Sequence, residues 1–358
     1  MASGVNSSLM VDPNLESSAI MNARFQFDVE TLARYLASHV PGFYGPMSIE
    51  KFAGGQSNPT FLLTAQRGRY VLRRQPPGAL LKSAHAVDRE FRVLTALSHT
   101  PVPVARALHL CEDRDVIGSM FYVMSFEEGE IFWDPSLPEL PAGKRSAIYD
   151  ALLGTMAALH DVDVEAVGLA DYGRAGNYFS RQIDVWTRQY RAAQTDALES
   201  VEALIKWLPA NCPAETGKPS LVHGDFRIDN VMFQRGTPQV RAVLDWELST
   251  LGNPLADLAY FCMCLRLPRN GHITGLEGLD RVALEVPDES AIIEQYCRLR
   301  EIASIENWNF YLAFSFFRLA AITQGVKKRA LGGNASNDKA RQVGEMAGVL
   351  ARMGAELI

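Results

Sequence analysis

No run of apolar residues in this 358-residue chain reaches the roughly 18 that a membrane span requires. The nearest approach, Trp308 to Ala321, is interrupted by Asn309, Ser315 and Arg318, so no membrane partner is expected. Basic charge is not in excess. Thirty-five Lys and Arg stand against 41 Asp and Glu, a net charge of −6, which disfavours a nucleic-acid partner. Cysteine is scarce and scattered: Cys111, Cys212, Cys262, Cys264 and Cys297 form no CxxC pair, and the histidines form no HxxxH pair. This pattern fits a reduced, metal-free cytoplasmic protein. The opening MASGVNSSLMVDPNLESS lacks the basic stretch and apolar core of a secretory signal, so none is expected there. Internal repeats and low-complexity tracts are also missing.

What remains is ordinary globular composition, 47% hydrophobic and 21% charged. The length exceeds a comfortable single domain, which predicts two lobes. Charge supports the division. Residues 47–126 hold ten basic against six acidic residues, residues 127–256 eleven against nineteen, and residues 257–358 twelve of each. A basic segment suits polyphosphate, and an acidic one suits a divalent metal or a cationic group. Residues 1–24 read as a flexible tail, residues 25–126 as one lobe and residues 127–358 as another. In the first lobe a helix is expected from Asp28, a natural cap, with Leu32, Tyr35 and Leu36 on one face. Short β-rich runs follow at 47–52, 60–64 and 70–74, then a helix over 83–98 and further strands at 104–111 and 120–126. After Gly129 helices dominate, at 144–160, 178–192, 254–265, 289–301, 308–329 and 339–353. A β-like island sits among them at 221–223, 231–233 and 240–244. The last two helices are apolar enough for either a domain core or a homodimer surface.

The chemistry concentrates in His223-Gly224-Asp225-Phe226-Arg227-Ile228-Asp229-Asn230, which lies between two strand-like runs, with Asp245 twenty residues after Asp225. Phosphoryl transfer needs this layout. One carboxylate must orient an attacking hydroxyl and accept its proton. An amide oxygen and a second carboxylate must hold Mg²⁺ against the phosphates. A hairpin would bring the second Asp beside the first loop.

HGDxxxxN followed by LDWE resembles the aminoglycoside/choline phosphotransferase family, whose fold is protein-kinase-like. The resemblance implies an α+β, bilobal fold: a small β-rich N-lobe with one main helix that binds nucleotide, and a larger, mostly helical C-lobe that holds the catalytic loop and the acceptor. It implies Asp225 as the catalytic base and Asn230 and Asp245 as metal ligands. It further implies that Arg227 neutralises the transferring phosphoryl group and that Glu247 helps hold a second metal or the substrate. His223 is expected to hold the loop through hydrogen bonds. For Asp257, helix capping and bracing of the catalytic loop both stand open.

Within the same resemblance, the turn containing Gly54, Gly55, Gln56, Ser57 and Asn58 covers the ATP phosphates, where Gly lets the backbone come close. Arg73 stands where the family carries its nucleotide lysine, a departure that keeps the charge but changes its shape. Arg74 is a second residue able to share that task. Glu90, on the following helix, is the expected ion-pair partner of Arg73. Met124 falls on a hinge-like strand, nearest the base.

GGQSNPT, YVLRRQPPG, HGDFRIDN and LDWELSTLGNPLADLAY resemble more narrowly the kinase-like domain fused to some acyl-CoA dehydrogenases. The expected activity is ATP- and Mg²⁺-dependent phosphorylation of a hydroxyl on a small metabolite, a hydroxyacyl-CoA or related acyl compound first. An aminoglycoside-type antibiotic phosphotransferase is one alternative, and a non-catalytic nucleotide-binding regulator is another. A protein kinase fits less well, because the chain passes almost directly from Asp245 into a helix.

Overall fold

The computed structural model describes residues 15–16, 27–52, 58–76, 85–174, 176–215, 217–271, 273–331 and 338–358. By its internal contacts the chain divides into two compact units. One comprises residues 1–98 and 105–127, the other residues 99–104 and 128–358.

The first unit is built on one antiparallel sheet. Helix α1 (Val29–His39) begins where Asp28 caps it. The Asp28 carboxylate accepts from Glu30 N at 2.9 Å and from the Thr31 hydroxyl at 2.6 Å, and a cap of this kind contributes about 1 kcal/mol. Strands β2 (Ser48–Phe52), β3 (Thr60–Ala65) and β4 (Gly68–Arg74) form a meander. Helix α2 (Val87–Leu97) follows, then β5 (Ala107–Cys111) and β6 (Phe121–Ser125). A two-residue strand, β1 (Leu15–Glu16), pairs with the edge of β2, so this part of the expected tail is tied to the sheet. The strand order is β1-β2-β3-β4-β6-β5. Alternation sorts the side chains into two faces. Phe61, Leu63, Leu72, Phe121 and Val123 join Leu32 and Leu36 of α1 in one buried cluster. Arg73 lies opposite Tyr122 in the ladder and therefore shares the other face with it.

The second unit opens with β7 (Glu130–Ile131) and α3 (Ala142–His160), then α4 (Tyr178–Ala193) and α5 (Glu199–Ala210). Four short strands follow: β8 (Ser220–Val222), β9 (Val231–Phe233), β10 (Val240–Val243) and β11 (Thr250–Gly252). They are succeeded by α6 (Leu255–Arg266), α7 (Arg281–Leu284), α8 (Glu289–Leu299), α9 (Trp308–Leu331) and α10 (Asp338–Ala355). Helix α9 is buried on every side from Phe310 to Ala321, with α4, α5, α6 and α10 packed around it. A helix apolar all round belongs inside a core, so α9 spends its apolar surface within this unit. No described helix is long and apolar enough to cross a membrane.

The sequence reading passes over α5, α7, β7 and β11. In α5 the buried Val201, Leu204 and Leu208 do follow helical spacing, but Pro209 sits in the last turn and no side chain caps the start. Strands β7 and β11 are two and three residues long, too short for alternation to register.

Candidate active site

Two miniature sheets hold the loops that carry the acidic residues. Strand β8 pairs with β11, and β9 pairs with β10 as a hairpin with Val231 opposite Val243. The loop from β8 to β9 contains Asp225, and the loop from β10 to β11 contains Asp245. Leu244 N–H donates to Asn230 O at 2.8 Å, extending the hairpin by one step and setting Asp245 immediately beyond Asn230.

The β8–β9 loop is fixed from several directions. Gly224 has φ +84°, and a Cβ there would stand 2.5 Å from Leu248 O, so only glycine fits. Asp257, in the first turn of α6, is fully buried and accepts from His223 N–H at 2.7 Å and Gly224 N–H at 2.8 Å. Of the two roles open for Asp257, bracing the loop is the one realised. Burial pushes the Asp257 pKa up, but the hydrogen bond from His160, the nearby histidines and Gly224 N–H outweigh it and hold the carboxyl below its ordinary range. His160 Nε2 lies 3.2 Å from Asp257, and His160 Nδ1 lies 2.7 Å from the Tyr296 hydroxyl. Burial lowers the His160 pKa despite Asp257, so this imidazole is neutral at pH 7.

His223 has no freedom to act as a base. Its Nε2 is 2.8 Å from Leu244 O, a carbonyl that can only accept, so Nε2 carries the proton. Its Nδ1 then accepts from Asp225 N–H at 3.2 Å. The ring thus ties the Asp225 loop to the strand leading into Asp245, as the loop-holding role requires.

Asn230 donates through Nδ2 to Asp225 O at 2.8 Å and to Asp225 Oδ2 at 3.0 Å. Its amide oxygen therefore faces away from Asp225. Asp245 adopts a left-handed backbone, φ 59° and ψ 68°, which few non-glycine residues accept. Such strain costs on the order of 1–3 kcal/mol and concentrates at functional sites. The donor set fits Mg²⁺: an amide oxygen and a carboxylate are hard ligands, and this ion takes one or two carboxylates and completes its shell with water and substrate phosphates. No group of three or more His, Cys, Asp or Glu suited to a protein-only metal cage occurs among the described residues, and a site of this kind does not need one.

Arg227 lies between two carboxylates, Nε 3.2 Å from Asp225 Oδ1 and Nη2 3.2 Å from Asp229 Oδ2. Burial works against its charge, and the two carboxylates overcome that and hold it firmly cationic. Glu247 is exposed on the 3-10 turn Trp246–Leu248.

In the first unit the Arg73–Glu90 ion pair is present, Nε to Oε2 at 2.9 Å, with both side chains buried. The Tyr122 hydroxyl donates to Glu90 Oε2 at 3.2 Å, and Asn58 Nδ2 donates to Glu90 Oε1 at 2.8 Å. The Asn58 amide oxygen lies 3.1 Å from His85 Nδ1. Asn58 therefore braces Glu90 through its amide nitrogen, while its amide oxygen faces His85. Arg74 does not share the face of Arg73. Alternation turns it to the α1 face, where its Nε donates to the Ser119 hydroxyl at 2.9 Å and its guanidinium covers the Phe27 ring. Met124 is half-buried on β6, opposite Val71. Gly54, Gly55, Gln56 and Ser57 lie outside the described residues.

Tyr122 escapes the sequence reading although strand alternation places it beside Met124 and opposite Arg73. His160 had no local signal, since its partner Asp257 is 97 residues away.

Residues 48–291 match the model of the phosphotransferase enzyme family, APH, and the chain belongs to that family. Its fold is α+β and protein-kinase-like. A crystal structure of a candidate aminoglycoside phosphotransferase from Ralstonia eutropha JMP134 is 46% identical, covers 93% of this chain and 98% of that one, and superposes with a TM-score of 0.85. Aminoglycoside phosphotransferase APH(4)-Ia, in a ternary complex with AMP-PNP and hygromycin B, shares the fold at 15% identity, 91% and 98% coverage and a TM-score of 0.60. Acyl-CoA dehydrogenase family member 10 of Mus musculus is 46% identical over 310 residues, which is 86% of this chain and 29% of that protein. The chain spans less than half the length of the curated relatives it matches.

Proposed function

We propose that the protein transfers the γ-phosphoryl group of ATP, with Mg²⁺, to a hydroxyl of a hydroxylated acyl compound such as a hydroxyacyl-CoA. The observation that carries this is the Asp225–Asn230–Asp245 arrangement, in which Asn230 holds the proposed base through its side-chain amide and the strand leading to Asp245 through its backbone carbonyl. Asp225 accepts the proton of the acceptor hydroxyl as its oxygen forms a bond to the γ-phosphorus and the bond to the ADP oxygen breaks. The products are the phosphate ester, ADP and a proton. Mg²⁺, when bound, offsets phosphate charge, and the Asn230 oxygen and the Asp245 carboxylate would hold it, with Glu247 close by in sequence for a second ion. Arg227 orients Asp225 and adds positive charge beside it. Such sites work mainly by positioning and electrostatics.

In the first unit, Arg73 held by Glu90 is assigned to the nucleotide phosphates. The turn at Gly54, Gly55, Gln56 and Ser57 is assigned to their backbone contacts, and Met124 to the base. The complex of APH(4)-Ia with AMP-PNP supports an ATP-type donor. The acyl-CoA dehydrogenase name of the mouse relative supports an acyl acceptor. The cytoplasm is the proposed compartment. The test is ADP formation from Mg-ATP with 3- and 4-hydroxyacyl-CoAs, the free hydroxy acids, choline, homoserine and kanamycin. Turnover confined to hydroxyacyl compounds is expected, and turnover confined to kanamycin would replace this reading with the antibiotic one.

A further inference from the structure

Arg318 lies in the middle of α9, the helix buried at the centre of the second unit, and only 5% of its surface is exposed. A buried guanidinium ordinarily meets a carboxylate or a set of carbonyls, because an unpaired buried charge is costly. Arg318 makes no ion pair and no hydrogen bond among the described residues. Its guanidinium carbon instead lies 5.6 Å from the ring centre of Trp186 on α4 and 5.4 Å from that of Tyr260 on α6. Two aromatic faces can hold a cation, but they leave its five N–H donors unused. Tyr260 lies three residues after Asp257 on α6, on the same side of the helix, and Asp257 accepts from His223 N–H and Gly224 N–H of the catalytic loop, so the ring under this cation stands one turn from the brace of that loop. Burial raises the Tyr260 pKa well above its ordinary value, and the charges of Asp225, Arg227 and Arg318 all act on its phenol. The Tyr178 phenol on α4 also feels the Arg318 charge.

We infer that Arg318 is the anion-binding residue of the acceptor site, and that the acceptor is a hydroxylated organic anion whose carboxylate or phosphate pairs with this guanidinium. A fork of N–H donors pre-set by two rings suits a bidentate oxyanion. Paired in this way, the buried charge is compensated only when substrate is bound. A polycationic aminoglycoside would meet repulsion here. The inference rests on the phosphotransferase reading of Asp225, because it takes the space by Asp225 as the acceptor's.

The test is calorimetric binding of 3-hydroxydecanoate, its methyl ester, its CoA thioester and kanamycin to the full chain with Mg-AMP-PNP. Wild type, Arg318→Met and Arg318→Lys are compared. An anionic probe should bind wild type about tenfold or more tightly than the methyl ester. Tighter binding of the free acid identifies a carboxylate, and tighter binding of the thioester identifies the CoA phosphates. Arg318→Met should erase the preference while keeping or raising the thermal midpoint, since an apolar chain replaces an unpaired buried charge. Arg318→Lys should keep part of the preference. Indifference between ester and anions, binding of neither anion, tightest binding of kanamycin, or a preference that survives Arg318→Met would each overturn the inference. So would failure of the Met variant to fold, which would make Arg318 a core residue. If wild type does not bind Mg-AMP-PNP, the nucleotide reading fails, and the anion preference is then read without nucleotide.

Discussion

Gly224 and Asp245 are the two backbone positions on which the site depends. Gly224 combines a positive φ with a carbonyl oxygen 2.5 Å from where a Cβ would stand. Gly224→Ala should therefore destabilise the protein by roughly 1–3 kcal/mol in denaturant unfolding, and it should abolish transfer because Asp225 is the next residue. Asp245 holds its left-handed conformation just past the hairpin step made by Leu244 and Asn230. Asparagine tolerates the same backbone, so Asp245→Asn should fold normally yet lose a charged ligand. Titration with AMP-PNP at fixed Mg²⁺ should read an affinity about tenfold or more lower. Normal affinity in that variant would remove Asp245 from the metal assignment.

At the scale of elements, α2 and the β4–β6 pair meet at Glu90. Arg73, Tyr122 and Asn58 all converge on its carboxylate. Glu90→Gln breaks the buried ion pair with Arg73, and breaking a buried pair costs roughly 3–5 kcal/mol. The expected outcome is a lower thermal midpoint together with a raised KM for ATP. A raised KM without loss of stability would mean that Glu90 acts on the nucleotide directly. This element also marks what the sequence makes legible. The Arg73–Glu90 pair can be read from a strand followed by a helix, because both residues sit at characteristic places in local elements. The fate of Arg74 could have been read as well, since neighbouring strand residues face opposite ways. The commitment of Asn58 to Glu90, 32 residues on, and of Asp257 to His160, 97 residues back, could not. These bonds depend on tertiary packing that no periodicity records. The HGD loop is legible for the opposite reason: Gly224, Asp225 and Asn230 all serve one compact loop, so their spacing in sequence survives as geometry.

For the molecule as a whole, the buried His160–Asp257 pair ties α3 and α6 to the catalytic loop and links stability to pH. Both groups have lowered pKa values when folded. A lowered pKa contributes stability that is complete above the unfolded value and is lost as pH falls through the folded one. Stability should therefore decline on acidification from about pH 6.5, first through His160 and then, below about pH 4, through Asp257. Urea midpoints across this range should fall for wild type and flatten between about pH 6.5 and 5 in His160→Gln. The helical core around α9 gives the second unit its mass, and within it the one buried arginine on that helix is stacked between two rings instead of paired with a carboxylate. The central claim concerns what the whole protein does with ATP, and one comparison tests it most directly: ADP formation and Mg-ATP affinity, wild type against Asp225→Asn, with the hydroxyacyl acceptors. The account predicts that the variant binds Mg-ATP about as tightly as wild type and turns over at least about 10²-fold more slowly. Near-normal turnover in Asp225→Asn would contradict it.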